Sequence, residues 1–301
     1  MLDYAAVAAL AAVVREGSFD AAARTLHVTP SAVSQRIRSL EERMGCTLVQ
    51  RGQPCRATAV GQRLCQHLDR VHLLEQELAQ ALPLPGLDAG ARVTLRVAVN
   101  ADSLATWFAP VASGYAAQAP VLMDLSIDDE GHTVEWLRSG AVLAAVSAQA
   151  RAPGGCNSEA LGSMRYVAAA GPGFVAAHFP DGVHAASLAR APCLVFNAQD
   201  ELQARWVRRR CRRDVDLPRH VLPSPQGFVA AALAGMGWGM HPLALVASHL
   251  RDGTLVELVE HTPLDIALHW HYARAASRLL DDLTREVRRA ARGALLPARS
   301  P

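Results

Sequence analysis

Residues 17–45 decide the fold of the N-terminal region, and they read GSFDAAARTLHVTPSAVSQRIRSLEERMG. Ser18 and Thr29 each precede a helix-forming run, where a side-chain hydroxyl can accept the free N–H groups of a first helical turn. Pro30 follows Thr29 at the helical position where a missing N–H is harmless. This stretch therefore predicts two helices joined by a tight turn around 26–28.

The second of these helices has two chemically different sides. Apolar residues recur at a 4, 3, 4 spacing and predict a buried stripe, formed by Val33, Ile37, Leu40 and Met44. The remaining positions carry hydroxyl, amide and guanidinium groups, at Ser31, Ser34, Gln35, Arg36 and Arg38. Gln can bond adenine through two atoms, and Arg can bond guanine or phosphate. This face suits DNA, although periodicity alone also allows an ordinary helical hairpin with a solvated polar face.

The order of residues in AAARTLHVTPSAVSQRIRSLEERMG and the following LVQR resembles the winged helix-turn-helix of LysR-type transcriptional regulators. The resemblance implies a DNA-binding domain over residues 1–58. It also implies a wing between Thr47 and Thr58 that lies against the adjacent minor groove, with Arg51 and Arg56 as candidate minor-groove or phosphate contacts. A solvated loop is the alternative for these two arginines.

A long helix is predicted from Thr58 to about Leu82, and a proline- and glycine-rich hinge follows it up to residue 90. Its leucine-rich seam approaches a heptad pattern at Leu64, Leu68, Val71 and Leu78. The resemblance implies that residues 59–90 form a dimerising linker, and that the protein is a homodimer or homotetramer. The alternative is that the seam packs against its own domain.

Composition narrows the classes of protein that this chain can be. It has 301 residues, half of them hydrophobic, and a net charge of +2, and all thirty basic residues are arginine. The absence of lysine excludes a pyridoxal-phosphate Schiff base, a P-loop lysine and a lysine general base. Six cysteines without a C-x-x-C pair indicate free thiols, with no metal site. Without a catalytic constellation, a signal peptide or a membrane span, we expect a cytoplasmic protein that is not an enzyme and needs no cofactor.

From residue 91 to 301 the pattern changes to alternating strands and helices, which predicts an α/β domain with parallel strands. Two crossings, near 161–165 and 262–265, divide it into lobe I (about 91–161 and 266–301) and lobe II (about 162–265), with a cleft between them. This is the layout of a periplasmic binding protein and also of the LysR-type effector domain. Two further segments, VNADSLATWF at 99–108 and QGFVAAALAGMGWGMHP at 226–242, resemble the ArgP/LysG-like branch of LysR-type regulators.

That branch senses basic amino acids, so the resemblance implies an effector such as L-lysine or L-arginine. Candidate ligand residues lie where strands are predicted to end, at Asn100, Asp102, Ser103, Trp107, Asp129, Ser147, Asn197 and Ser224. Ser103 could bind a carboxylate, Asp102 and Asp129 could meet cationic groups, and Trp107 could wall the pocket. Asp102 or Ser103 could instead cap the helix, and the acids at 128–130 could be solvated. Gln226 departs from the acidic or hydroxyl residue expected in this branch, which leaves the choice among lysine, arginine and histidine open.

The prediction is therefore a DNA-binding regulator that senses a basic amino acid and activates an amino-acid exporter gene. Its partners would be operator DNA, the effector, other copies of the chain and RNA polymerase. A cytoplasmic solute-binding protein and a ligand-independent DNA-binding regulator are the alternatives.

Overall fold

The computed structural model describes residues 1–81, 93–128, 133, 136–137, 141–274 and 278–297. The N-terminal elements are α1 (Tyr4–Glu16), α2 (Phe19–Thr25), α3 (Pro30–Met44), β1 (Val49–Gln50), β2 (Arg56–Ala57) and α4 (Ala59–Ala81). β1 and β2 pair antiparallel, which confirms the predicted wing of two short strands.

The predicted helix boundaries in this region are confirmed by their caps. Ser18 Oγ accepts the N–H of Ala21 at the start of α2, and Thr29 Oγ1 accepts that of Ala32 at the start of α3. At the other end of α3, Gly45 adopts the left-handed conformation, with φ of +66°, which a glycine adopts without strain.

The predicted apolar stripe of α3 is correct for three of its members. Val33, Ile37 and Leu40 are fully buried against α1 and α2. Met44 is 41% exposed, so its assignment to the stripe is wrong. It is the last residue of α3, and the chain turns away at Gly45, so nothing covers this end of the stripe.

The leucine seam of α4 is divided between two environments. Leu64 and Leu68 are only 8% and 4% exposed because they pack in the core of the N-terminal domain, whereas Leu78 is 50% exposed. The prediction that Leu64 and Leu68 face a partner chain is therefore wrong. Val71 lies between these extremes, and the hinge predicted at 83–90 lies outside the described residues.

The C-terminal domain contains eight helices among the described residues and a π-helical turn. The first lobe contributes β3 (Val93–Asn100), α5 (Ala101–Ser103), the π turn (Leu104–Phe108), α6 (Ala109–Gln118), β4 (Val121–Asp128), β5 (Ala144–Ser147) and, at the end of the chain, α12 (Arg278–Ala294). The second lobe contributes α7 (Pro172–His178), α8 (Ala185–Leu188), β7 (Cys193–Val195), α9 (Leu202–Cys211), β8 (Arg219–Val221), α10 (Pro225–Leu233), β9 (Gly239–Pro242), α11 (Leu243–Arg251) and β10 (Val256–Glu257). The two lobes are joined by β6 (Cys156–Ala170) and β11 (Leu264–Ala273).

One mixed sheet runs through both lobes in the order β10-β6-β11-β5-β3-β4, and β9 also pairs with β6. The predicted parallel pairing is confirmed for β3 with β4 and β5, while β6 and β11 run antiparallel to each other. Within β6, residues 157–161 are all at least partly exposed, 162–165 alternate between buried and partly exposed, and Tyr166 to Ala170 are buried without interruption. This change matches a strand that is covered on one face in lobe I and on both faces in lobe II.

The C-terminal domain differs from the sequence prediction at several boundaries. The sequence pattern predicts a helix from Ser103 to Gln118 and a strand from Tyr166 to Ala170, whereas the helix begins at Ala101, directly after β3, and β6 begins at Cys156. Most of the helix predicted at 132–138 lies outside the described residues. Within the described ranges, no helix combines the length and the apolar character that a bilayer crossing requires.

Candidate functional site

The outer face of α3 presents the polar groups that the sequence predicted. Ser31, Gln35 and Arg38 are exposed, and Ser34 and Arg36 are half-buried at its edges. Because the N-terminus of α3 is capped by Thr29 and its apolar side is packed against α1, the helix presents this face in one orientation. A rigid helix with an amide and guanidinium groups on its free side has the chemistry needed to read base edges in a major groove.

The wing places two arginines beside this helix. Arg51 follows β1, and its guanidinium carbon lies 5.2 Å from the centre of the Phe19 ring, so a cation–π contact connects the wing to α2. Arg56 lies in β2 and is exposed. Both guanidinium groups are accessible to a phosphate backbone, and their roles there stay predictions.

The interlobe cavity, a cleft of about 740 Å³ including its open mouth, lies between the end of β3 and the start of α9. Its walls come from seven separate stretches of the chain. The lining residues are Asn100, Ala101, Asp102, Ala148, Tyr166, Phe196, Asn197, Gln199, Asp200, Leu202, Pro225, Phe228, Met240 and Ile266. The polar members therefore lie on both lobes, and the rest of the lining is aromatic or aliphatic.

Hydrogen bonds fix the two carboxylates of the cavity. Asp102 Oδ2 accepts the Tyr166 hydroxyl at 2.7 Å, which joins α5 to the crossing strand β6. Asp200 Oδ2 accepts the N–H of Phe196 at 2.9 Å, and its Oδ1 accepts that of Leu202 at 3.1 Å. Asp200 therefore closes the turn between β7 and α9 and lines the cavity from the lobe II side.

Three predicted ligand residues line the cavity: Asn100, Asp102 and Asn197. Ser103, the residue after Asp102, is fully buried, and its hydroxyl has no hydrogen-bond partner among the described residues. Asp129 lies outside the described residues.

Three other predictions are not met, because these side chains are engaged elsewhere. Trp107 is buried and lines a separate groove with Arg165 and Leu243. The Ser147 hydroxyl is buried and accepts the N–H of Gln149, and the Ser224 hydroxyl caps α10 by accepting the N–H of Gly227.

Sequence reasoning missed most of the lobe II side of the cavity. Asp200 and Gln199 lie just beyond the predicted residue Asn197, in the turn between the three-residue strand β7 and α9, and they were not predicted as ligand residues. The polar stretch NAQDE at 197–201, between the apolar run Cys193–Val195 and a helix-forming run, is the signal that could have found them. No sequence pattern marked three further lining residues, Tyr166, Phe228 and Met240, because each belongs to a buried stretch.

Burial shifts the pKa values of two cysteines and one histidine so that these side chains are uncharged at neutral pH. All six cysteines are free thiols, and burial raises the pKa of Cys65 to about 11 and that of Cys193 to about 12. Both are therefore protonated and unreactive at neutral pH. Burial also lowers the pKa of His241, in β9 beside the cavity residue Met240, to about 4. Among the described residues, no three His, Cys, Asp or Glu side chains are grouped to hold a metal ion.

Comparison with known proteins agrees with both parts of the chain. The profile of the LysR substrate binding domain matches residues 88–294, and that of the bacterial regulatory helix-turn-helix protein, lysR family, matches residues 4–62. The HTH-type transcriptional regulator LysG of Mycobacterium tuberculosis is 46% identical over 293 residues, which are 97% of this chain and 94% of that protein.

Two solved structures extend the likeness to three dimensions. ArgP from Mycobacterium tuberculosis is similar with a TM-score of 0.84 and 43% identity, over 99% of this chain and 100% of that one. Full-length LysG from Corynebacterium glutamicum with bound effector Arg is similar with a TM-score of 0.72 and 36% identity, over 98% of this chain and 100% of that one.

Proposed function

The chain belongs to the LysR family of bacterial transcriptional regulators, and on that premise we propose that its activity is controlled by a basic amino acid that binds the interlobe cavity. The candidate effectors are L-arginine, L-lysine and L-histidine. Its relatives are transcriptional regulators of the LysG and ArgP type, so the protein is a regulator and not an enzyme. The α3 face is the proposed operator-reading surface.

The observation that carries the effector proposal is the charge of the cavity lining. Asp102 and Asp200 contribute a carboxylate from each lobe, and none of the described lining residues is cationic. A cavity with one carboxylate from each lobe and apolar lining that includes Phe196 and Phe228 suits a ligand with cationic groups and a hydrocarbon stem. L-arginine and L-lysine have this composition, with an α-ammonium and a side-chain cation separated by methylene groups.

The same cavity offers donors for the ligand carboxylate. Asn100 starts the helical run 101–118, and its side chain makes no capping bond, so the first N–H groups of the run lack a side-chain acceptor. Such groups favour an anion. The LysG structure with bound effector Arg supports this proposal by analogy.

A thermal-shift screen of the full-length protein against the twenty amino acids tests the proposal. A ligand that binds only the folded state at one hundred times its dissociation constant stabilises it by about 2.7 kcal/mol. We expect a rise in melting temperature for L-arginine, L-lysine or L-histidine, and none for L-citrulline or L-norleucine, which lack the side-chain cation.

Two substitutions make the screen specific to the cavity. Asp102→Asn should abolish the rise while leaving the ligand-free melting temperature within a few degrees, because the Tyr166 hydrogen bond can still form. Asp181→Asn, an exposed acid on lobe II away from the cavity, is the matched control and should keep the rise. An equal response in both variants would place the ligand elsewhere.

We further propose that the exposed half of α4 forms a homodimer, from which a tetramer could assemble. Leu74 and Leu78 are 59% and 50% exposed and lie four residues apart, so they present one apolar strip. Leu74→Glu combined with Leu78→Glu should convert the dimer to a monomer in light scattering. A dimer that persists would exclude this strip as the interface.

The regulated gene is proposed from similarity alone to encode an amino-acid exporter, activated through RNA polymerase. A reporter fused to candidate exporter promoters should rise with the effector only when the protein is present. A reporter that falls instead would identify a repressor.

A further inference from the structure

Helix α9 and the two residues after its end carry an exposed cluster that the proposed function does not use. We call it the arginine patch, and it comprises Arg205, Arg208, Arg209, Arg210, Arg212 and Arg213. The stretch 205–213 contains no acidic residue. Because helix positions three and four apart are neighbours, members of the patch repel one another. The cluster therefore does not stabilise the isolated protein through its own charges.

The patch faces outward because the other side of α9 is anchored in the core. Trp206 and Val207 are buried, and the Trp206 indole N–H donates to the Thr262 carbonyl at 2.9 Å. This anchoring fixes α9 against the segment that leads into β11. The arginines are thus held on a rigid surface.

The protein neutralises the patch only in part. Arg208 pairs with Asp214 at 2.6 Å, an exposed pair, and Arg209 donates to the Pro263 carbonyl at 3.1 Å. Within the described part of the chain, the other four arginines have no ion-pair partner. The helix C-terminus favours cations in its last turn, but its partial negative charge is small beside six arginines.

We propose that the arginine patch is a docking surface for a protein partner that presents a cluster of Asp and Glu side chains. Guanidinium groups pair with carboxylates through two parallel hydrogen bonds, and arginine is favoured at interfaces. The position of the patch favours this occupant over operator DNA. The helix α4, which continues the DNA-binding domain, is tied to lobe I by an ion pair between Asp69 and Arg96, whereas the patch lies on lobe II.

The same helix connects the patch to the interlobe cavity. Asp200, a lining residue, accepts the N–H of Leu202 at the first turn of α9, and the patch occupies the other end, about 15 Å away at 1.5 Å per residue. An effector that moves Asp200 therefore moves the patch with it. This coupling rests on the proposed function, whereas the docking surface does not.

Fluorescence anisotropy of a labelled oligoglutamate peptide with the full-length protein tests the docking surface. We expect Arg210→Glu with Arg213→Glu to raise the peptide dissociation constant about tenfold. The matched control, Arg190→Glu with Arg251→Glu, makes the same change of charge at exposed positions of lobe II and should shift it less than about twofold. If the two double substitutions raise the peptide dissociation constant equally, the proposal is overturned, because net charge alone would then account for the binding.

A random-sequence DNA duplex is the second probe. Its affinity should be nearly the same for the patch variant and the wild type, and a loss as large as that for the peptide would overturn the protein partner in favour of DNA. Addition of L-arginine should change the peptide dissociation constant at least twofold in the wild type, by the usual scale of coupling between sites. If L-arginine raises the melting temperature but leaves peptide binding unchanged, the coupling is overturned while the proposed effector stands.

Discussion

The polar face of α3, which is the proposed DNA-reading surface, and the interlobe cavity are built in opposite ways. The candidate DNA contacts on α3 lie within eight consecutive residues, 31–38, on one helix that is capped by its own neighbours. The cavity gathers side chains from residue 100 to residue 266, and strands more than one hundred residues apart in the sequence pair to bring its walls together. A surface carried by one helix has a period in the sequence, whereas a cavity assembled from seven stretches has none.

The first prediction tests whether the contribution of an α3 residue to stability follows its burial in the structure or its place in the periodic apolar stripe. Leu40→Ala should destabilise the protein by about 2–5 kcal/mol, because it leaves a cavity in the N-terminal core. Met44→Ala, at a position of the same predicted stripe, should change stability by less than about 0.5 kcal/mol, since Met44 is exposed. Calorimetry of the full-length variants measures both, and equal losses would show that the whole stripe is buried.

The second prediction concerns a group that only the tertiary structure buries. Because burial holds the pKa of His241 near 4, below its unfolded value near 6.5, the unfolded chain binds the extra proton first as the pH falls. Stability should therefore be lost between pH 6.5 and 4, by about 2 kcal/mol from pH 7 to pH 5 for this group alone.

His241→Leu should remove that part of the pH dependence in thermal unfolding measured from pH 7 to pH 5. Burial also lowers the pKa values of His269 and His271, so a smaller slope of the same sign should remain. A variant with the wild-type slope would contradict the buried neutral state of His241.

The third prediction separates base reading from phosphate binding on the DNA side. Gln35→Ala should reduce the discrimination between operator and random DNA by about 1–3 kcal/mol, the range for a bidentate contact to a base. Arg56→Ala should weaken both complexes alike and lower the salt slope by about 1. An equal loss on the two DNAs for Gln35→Ala would end its base-reading role.

The smallest expected effect is that of the α3 cap. Thr29→Ala should lower stability by about 1 kcal/mol, because the N–H of Ala32 loses its acceptor. Thr29→Ser keeps the hydroxyl and should behave like the wild type in urea unfolding. If both variants lose the same stability, the methyl group and not the cap carries the contribution of Thr29.

The sequence predicted those parts of the fold that depend on neighbours. The caps at Ser18 and Thr29 and the parallel strands around β3 follow from local signals, and the structure confirms them. On the lobe I side of the cavity, Asn100 and Asp102 were found because a strand end is visible in the sequence. On the lobe II side, Asn197 was found in the same way, whereas Asp200 was missed because the turn that places it in the cavity depends on its own hydrogen bonds to Phe196 and Leu202.

The failures have a common cause. Trp107, Ser147 and Ser224 have plausible chemistry at plausible positions, but a side chain at a strand or helix end can point into a core or cap its own helix. Likewise, Leu64 and Leu78 belong to one predicted seam. Because α1 packs against the first half of α4, Leu64 is buried in the N-terminal core while Leu78 stays exposed.

By itself, the sequence determined the order of the two family domains, the polar face of α3 and the absence of lysine chemistry, because these depend on residue type and on contacts between near neighbours. Tertiary structure alone decided which polar groups meet in the interlobe cavity and which leucines of α4 stay exposed. It also decided that burial lowers the pKa of His241, so that this side chain is neutral at pH 7. The reason is physical: burial and convergence are set by strands that pair a hundred residues or more apart, as Arg165 and Asp265 do, and no local spacing records them.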